Sequence, residues 1–202
     1  MQFGFWLQFD PSMNQSVIAY LILLLFIAAV RLGELQISAR NQRRMAEKGV
    51  AKVGEPRFRW MVMLHIAVLI SSALEVIFLH RPLIVPLAAV SLAVLAFSIL
   101  LRWWVIRTLA SHWNVQVMAS TSLGVVTSGP YKWVRHPNYL AVFLELLAIP
   151  LIYTAWITAI WGTVAHIAIL RSRIHVEEEM LMSSPQYRAA MGSKPRFLPG
   201  LF

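Results

Sequence analysis

Five apolar segments constrain this chain more than any other feature of its sequence. A helix needs about 20 mostly apolar residues to cross the hydrocarbon core of a bilayer. Segments that approach this length run from Val17 to Ile37, Trp60 to Leu79, Leu83 to Ile106, Pro137 to Ile152, and about Ala155 into Glu179. Only Tyr153 and Thr154 separate the last two, which predicts a tight helical hairpin. We therefore predict an all-α fold, a polytopic membrane bundle of about five transmembrane helices forming a single domain over residues 1–202.

The composition agrees with this fold class. Charged residues make up only 13% of the chain, whereas a typical soluble domain has roughly 25%. There is no cysteine, which excludes a disulfide framework and a cysteine metal site, and we predict no metal. The net charge is +9, but the Lys and Arg residues lie between apolar segments and not on a polar domain, so we predict no nucleic-acid partner. Residues 1–16 hold no Lys or Arg and do not resemble a signal peptide.

The basic residues predict the orientation. Of the 18 Lys and Arg residues, only Arg81 falls between the second and third segments, and the others lie on the opposite side. Cytoplasmic loops of membrane proteins are enriched in Lys and Arg. This places the N-terminus outside and the C-terminus in the cytosol. The cytosolic parts are then the first loop, the connection from Ala110 to His136 and the tail after Glu179.

The segment from Gly129 to Tyr139 leads into the fourth apolar segment. Pro137 suits the first turn of a helix, and His136 before it is restricted to an extended conformation. The helix would then present free N–H groups and a positive dipole end near His136, which favours an anionic group. A membrane-interface belt of Tyr, Trp and Arg explains the same residues equally well.

A second polar cluster lies at the end of the fifth segment. Gly162, His166, Arg173 and Glu177 share one helical face because they are spaced by 4, 7 and 4 residues. His166 lies about two turns inside the apolar segment, where polar residues usually face a cavity or a partner. Arg173 and Glu177 can pair, although an ordinary surface ion pair would look the same. Glu178 and Glu179 are predicted to point away from this face into solvent.

Other polar groups lie within the apolar segments. Arg31, Glu34, Glu75 and Glu145 should face the bundle interior, since ionised groups in lipid are costly. We expect Glu34 and Glu145 to be structural partners of arginines. Three histidines without a partner identifiable from the sequence are expected to be structural or interfacial: His65, His80 and His112.

Taken together, the two clusters resemble a known family. The stretch VTSGPYKWVRHPNY from Val126 to Tyr139, followed by RIHVEEE from Arg173, is similar to the isoprenylcysteine carboxyl methyltransferase family. The resemblance covers about Trp113 to Phe197, the predicted cofactor-binding and catalytic half (residues 113–197). The N-terminal half, with RLGEL from Arg31, resembles a bacterial branch that O-methylates alkylpyrones or alkylresorcinols from type III polyketide synthases. This implies an integral protein of the bacterial cytoplasmic membrane.

The resemblance implies an S-adenosylmethionine-dependent methyltransferase with a cytosol-facing pocket. Its acceptor would be a lipophilic acidic molecule, such as an alkylpyrone, an alkylresorcinol or a prenylcysteine carboxylate. Carried over by position, the cofactor-binding residues are Gln116, Leu123, Gly124, Val125, Val126, Tyr131, His136, Pro137, Asn138, Tyr139 and Glu177. Arg173 would bind the acceptor and, with Glu177, form the catalytic pair. Prenylcysteine members commonly have a His-Thr pair where Leu123 and Gly124 stand, so contacts there would be made by the main chain of the strand-like run Leu123 to Val126, or would be absent.

The chemistry of these residues is compatible with such roles. Glu177 could hold the cofactor ammonium, the dipole end near His136 its carboxylate, and tyrosine faces its sulfonium. Methyl transfer is an in-line displacement that depends on alignment. An acidic acceptor arrives as an anion that Arg173 can orient, whereas a phenol or amine needs a base, for which Glu177 and His136 are candidates.

Three alternatives remain open from the sequence. A phospholipid N-methyltransferase would favour carboxylates over Arg173 around its acceptor. A lipid or sterol reductase would need more basic residues around the pocket for its nicotinamide phosphate cofactor. A non-enzymatic transporter or scaffold would tolerate Arg173→Ala.

Overall fold

The computed structural model describes residues 11–47, Gly49, 58–115 and 124–197, without the side chains of residues 11–14. Within these ranges all regular structure is helical, which confirms the predicted all-α class. The six α-helices are α1 (Pro11–Glu47), α2 (Phe58–Phe78), α3 (Val85–Leu109), α4 (Pro137–Leu151), α5 (Trp156–Ser183) and α6 (Pro185–Met191). Short 3-10 helices cover Ala110–His112 and Gly129–Lys132. Each of the five apolar segments coincides with one of the first five helices.

The first three helices have the dimensions of membrane spans. Among the described residues, the segments long and apolar enough to cross a bilayer are Gln15–Glu47, Phe58–Phe78 and Val85–His112. Helix α4 is apolar but shorter. Large apolar side chains such as Leu25, Phe78 and Ile160 are exposed on the outer faces. Such surfaces are typical of contact with lipid, and the molecule is an integral membrane protein.

Helix α1 continues ten residues beyond the predicted end at Ile37. The apolar window that defines a span ignores polar residues, whereas Ala, Arg, Gln and Met all propagate a helix well. On this extension, the Asn41 amide donates to the carbonyls of Ala110 (3.1 Å) and Trp113 (2.8 Å). The Ser38 hydroxyl accepts from the main chain of Val115 at 3.1 Å. Helix α1 therefore holds in place the segment that follows α3.

The connection into α4 rests against α3 at one glycine. Gly129 has a φ of +57°, and a Cβ at this position would collide with the side chain of Thr108. Only glycine satisfies both the backbone conformation and the close approach. This contact fixes the start of the segment that carries Tyr131 and His136.

The predicted α4–α5 hairpin is confirmed, and Glu75 of α2 organises it. The Glu75 carboxylate accepts hydrogen bonds from the main chain of Ile157 (3.0 Å) and Thr158 (2.7 Å) and from the Thr158 hydroxyl (2.7 Å). Arg81 lies 2.8 Å away and pairs with the same carboxylate. Glu75 thus caps the first turn of α5, where N–H groups lack intrahelical acceptors.

Two arginines and two glutamates form a buried ion network between α1, α3 and α4. Arg102 binds Glu34 at 2.6–2.9 Å, and Arg31 binds Glu34 at 2.5 Å and Glu145 at 2.8 Å. This confirms that Glu34 and Glu145 are partners of arginines. Arg102, one of the basic residues counted for the orientation, is buried within α3 and belongs to this network.

Candidate active site

A cavity of about 190 Å³ lies between the segment after α3 and helices α2 to α6. It brings together nine of the predicted site residues: Gly124, Val125, Val126, Tyr131, His136, Asn138, Tyr139, Arg173 and Glu177. Pro137 is fully buried at the start of α4 and does not line the cavity. Gln116 and Leu123 lie outside the described residues. Residues 124–126, the described part of the run from Leu123 to Val126 that was predicted to be strand-like, have no regular secondary structure.

Tyr139 lies between the predicted catalytic pair. Its hydroxyl donates to Glu177 Oε2 at 2.6 Å, and the guanidinium of Arg173 lies 5.5 Å from its ring centroid. Arg173 is buried and also donates from Nη2 to the carbonyl of Val115 at 2.7 Å. The acid, the cation and an aromatic face therefore meet at one place in the cavity.

The structure corrects the prediction that Glu178 is solvated. Glu178 is only 8% exposed and accepts a hydrogen bond from His136 Nε2 at 2.9 Å. Arg196 binds the same carboxylate at 2.6–3.1 Å, and Arg135 lies 3.4 Å away. Burial by itself would raise the pKa of Glu178, but the hydrogen bonds from His136 and Arg196 and the charge of Arg135 lower it to about 2. The prediction considered only the face of α5 that carries Arg173, whereas Glu178 lies on another face, which contacts the start of α4. The basic residues next to His136 in the sequence are the signal that could have indicated a buried acidic partner such as Glu178.

Two tyrosines beside Glu177 stay neutral. Burial first, and then the nearby Glu177 carboxylate, raise the pKa of Tyr131 and of Tyr187 well above the ordinary range. The main chain of Tyr131 is held by Lys194, whose ammonium donates to its carbonyl at 2.7 Å. Both phenols line the cavity as hydrogen-bond donors, not as phenolates.

The other end of the cavity is built from the apolar helices, and we call it the helix end. It is lined by Met61 and His65 of α2, Arg102 of α3, Val142 of α4 and His166 of α5. Helix α2 therefore shapes the cavity as well as completing the bundle.

The histidines at the helix end contact each other. His65 has a partner that the sequence did not identify, because its Nδ1 bonds the Met61 carbonyl at 2.7 Å. Its ring meets the ring of His166 edge-on, with the centroids 6.3 Å apart. The prediction that His166 faces a cavity or partner is confirmed.

Several buried polar atoms around this cavity have no hydrogen-bond partner among the described residues. They are Arg102 Nη1, Trp113 Nε1, Arg135 Nε, Asn138 Oδ1 and both ring nitrogens of His166, and all five residues line the cavity. Because more than about 90% of buried polar groups in proteins are paired, this concentration indicates a site for a polar ligand. The described ranges contain no group of three or more His, Cys, Asp or Glu residues arranged to hold a metal ion.

Comparisons with known proteins place this geometry in context. Residues 89–183 match the model of the isoprenylcysteine carboxyl methyltransferase (ICMT) family. The uncharacterized protein YpbQ of Bacillus subtilis is 28% identical over 160 residues, which are 79% of this chain and 95% of that protein. Protein-S-isoprenylcysteine O-methyltransferase of Tribolium castaneum is 33% identical over 105 residues, 48% of this chain and 35% of that protein.

A solved structure shares the fold. The eukaryotic intramembrane Ras methyltransferase ICMT matches with a TM-score of 0.63 at 21% sequence identity. The match covers 88% of this chain and 63% of that structure. The chain thus spans less than two thirds of the length of the structure it resembles.

Proposed function

Because the chain belongs to the isoprenylcysteine carboxyl methyltransferase family, we propose that it is an S-adenosylmethionine-dependent O-methyltransferase acting on a lipophilic acidic acceptor. The main support is that one cavity gathers nine residues of the family pattern, including Arg173, Glu177 and the Tyr139 that lies between them. The acceptor class is an alkylpyrone, an alkylresorcinol or a prenylcysteine carboxylate.

The cavity lining fits this cofactor chemically. The Glu177 carboxylate and the unpartnered Asn138 Oδ1 are acceptors for its ammonium. The first turn of α4 leaves main-chain N–H groups free, and Arg135 Nε is a buried, unpartnered donor beside it. Both suit its carboxylate. The main chain of residues 124–126 would bind the neutral groups of the cofactor. When bound, S-adenosylmethionine supplies an activated methyl group on a sulfonium.

The chain's own residues then orient the acceptor and exclude water. Buried Arg173 holds an anionic acceptor oxygen, and the Tyr139 ring below the guanidinium limits its position. Such alignment contributes much of the rate of an in-line displacement. For a phenolic acceptor a base is needed. His136 donates from Nε2 to Glu178, which leaves Nδ1 as an acceptor, and this atom lies 4.0 Å from Glu177 Oε2. His136 Nδ1 and the Glu177 carboxylate together would accept the proton of the phenol.

The predicted topology belongs to the same proposal. Five helices cross the membrane, with the N-terminus outside and the active site and C-terminus in the cytosol of a bacterium. The cationic end of α5, from Arg171 onward, agrees with the positive-inside rule. A C-terminal reporter fusion should be active only in its cytosolic form, and activity only outside would overturn the orientation.

The cationic environment disfavours the amine alternative. Buried Arg173 lines the cavity where the acceptor is proposed to bind, whereas the charge of Arg102 is compensated by Glu34. An ammonium headgroup beside Arg173 would face a like charge, so a phospholipid N-methyltransferase is the weaker assignment.

The deciding experiment is calorimetric titration of S-adenosylmethionine into the detergent-purified protein. Loss of a charged hydrogen bond costs about 1.5–3 kcal/mol, so Glu177→Gln should weaken binding about 10- to 100-fold. Glu179→Gln is the matched control, since Glu179 is exposed on the same helix. Equal affinity in wild type and Glu177→Gln would remove Glu177 from the cofactor site. No binding by the folded wild-type protein would overturn the proposed function.

A further inference from the structure

We infer that the helix end of the cavity binds a second polar group of the acceptor, a hydroxyl or carbonyl deeper in the membrane than the methylated oxygen. His166 is the specificity-determining residue for this group. The inference rests on the proposed function and narrows its acceptor class to molecules with a hydroxyl or carbonyl outside the group that is methylated, as in an alkylresorcinol or an alkylpyrone.

His166 is the main evidence. It is 2% exposed, it lines the cavity, and neither ring nitrogen has a hydrogen-bond partner among the described residues. A buried polar atom left unpaired destabilises a protein, and two on one ring indicate a partner supplied by a ligand. His166 precedes Glu177 by eleven residues, about 16 Å along α5. This distance separates it from Glu177, which is proposed to hold the ammonium of the cofactor.

The neighbours of His166 complete a binding site for a hydroxyl group. The carbonyl of Met61 can only accept, so His65 carries its proton on Nδ1, and a neutral His65 offers a lone pair on Nε2. Arg102 binds Glu34 through Nε and Nη2, which leaves Nη1 as a buried donor. The helix end therefore supplies one acceptor, one donor and a ring that can do either. A hydroxyl group, which donates once and accepts up to twice, satisfies this set, and a carbonyl satisfies the donors.

The helix end also lies within reach of the proposed position of the methylated oxygen. Arg173 Nη1 contacts the sulfur of Met61, and the carbonyl of Met61 bonds the ring of His65 one helical turn later. Apolar groups also lie there, with Val142 lining the cavity and the Phe143 ring 6.2 Å from the ring of His166. One head group can therefore place an oxygen at Arg173 and another at His166, with its apolar tail among the helices.

The test compares two ligands that differ by one hydroxyl group: a 5-alkylresorcinol and the 3-alkylphenol of the same chain length. Binding is measured by calorimetry with and without saturating S-adenosylhomocysteine, so that no turnover intervenes. The second hydroxyl group of the resorcinol should form one or two hydrogen bonds that the phenol cannot form. The wild type should therefore bind the resorcinol about tenfold more tightly than the phenol. His166→Phe should bring this ratio to about one, because it removes both nitrogens and keeps a flat ring. His166→Gln, which keeps an amide, should restore part of it.

The matched control is His175→Phe, on the same helix but exposed and outside the cavity, and it should keep the wild-type ratio. Equal affinity of the two ligands for the wild type overturns the inference, and so does an unchanged ratio in His166→Phe. If His166→Phe does not fold, the wild-type ratio and His166→Gln decide the question. Failure of S-adenosylhomocysteine to bind would count against the proposed function. The titrations without it would still decide whether His166 binds the second oxygen of the acceptor.

Discussion

The ring of His136 donates from Nε2 to the Glu178 carboxylate across 2.9 Å, and this bond ties together three parts of the chain. Arg196 of the tail binds the same carboxylate. Nearby, the main chain of Arg135 and His136 donates to the carbonyls of Pro195 (3.0 Å) and Arg196 (2.9 Å). The start of α4, the end of α5 and the tail are thus fastened beside the proposed cofactor residues.

Glu178→Gln should destabilise the protein in a pH-dependent way. The pKa of Glu178 is lowered from 4.5 to about 2. Its contribution to the free energy of unfolding is therefore fully present above about pH 4.5 and is lost as the pH falls through about 2. At pH 7 we expect a loss of about 1.5–3 kcal/mol from the charged hydrogen bonds. The measurement is thermal unfolding of the detergent-solubilised protein between pH 7 and pH 3.

The difference in unfolding temperature between Glu178→Gln and the wild type should become smaller below pH 4.5, because protonation of Glu178 removes the same charge from the wild type. Exposed Glu179→Gln should change the unfolding temperature little at any pH. A constant difference between Glu178→Gln and wild type across this range would contradict the assigned pKa.

Glu34→Gln should destabilise the bundle more than Glu145→Gln. Glu34 holds both Arg31 and Arg102, whereas Glu145 holds only Arg31, which keeps Glu34 as a partner. Breaking a buried ion pair costs about 3–5 kcal/mol because a charge is left uncompensated. We expect this loss for Glu34→Gln and a smaller one for Glu145→Gln, measured by thermal unfolding in matched detergent. The reverse order would mean that Glu145 is the main anion of the network.

Gly162→Ala should weaken the contact between α2 and α5. A Cβ at this position would lie 2.9 Å from Cγ2 of fully buried Val68, and overpacking of this kind costs about 1–3 kcal/mol. The double variant Gly162→Ala, Val68→Ala should lose less free energy of unfolding than the two single variants lose in sum. Gly33→Ala is the control, because a Cβ there meets nothing within 4 Å. Strict additivity in unfolding measurements would contradict direct packing of the two residues.

The helices and much of the cavity were predictable because each depends on a local pattern. Apolar runs located α1 to α5, and the spacing of His166, Arg173 and Glu177 on one helical face placed all three along the cavity. The RHPNY motif located the other wall. The apolar runs and this spacing follow from the period of the helix, whereas the motif was recognised by its resemblance to a family.

The contacts that escaped prediction join residues distant in the sequence. Glu178 differs from Glu177 by one position on the helix, and it is distinguished by contacts with His136 at the start of α4 and with Arg196 of the tail. Nothing in the local sequence around Arg102 indicates that its partner is Glu34, 68 residues earlier. His65 enters the cavity because α2 packs against α5. None of these relations has a sequence period.

Arg173→Lys should impair methyl transfer while leaving cofactor affinity near that of the wild type. Lysine keeps the charge but loses the planar set of donors that orients an anionic oxygen, and loss of one such donor costs about 10²–10³ in rate. The rate is measured in single turnovers with an alkylresorcinol, and S-adenosylmethionine affinity by calorimetry. Arg171→Lys, exposed on the same helix, is the control and should match the wild type in both. An equal loss of rate and cofactor affinity in Arg173→Lys would move Arg173 from the acceptor to the cofactor, and the acceptor would then be held chiefly by Arg102 and His166.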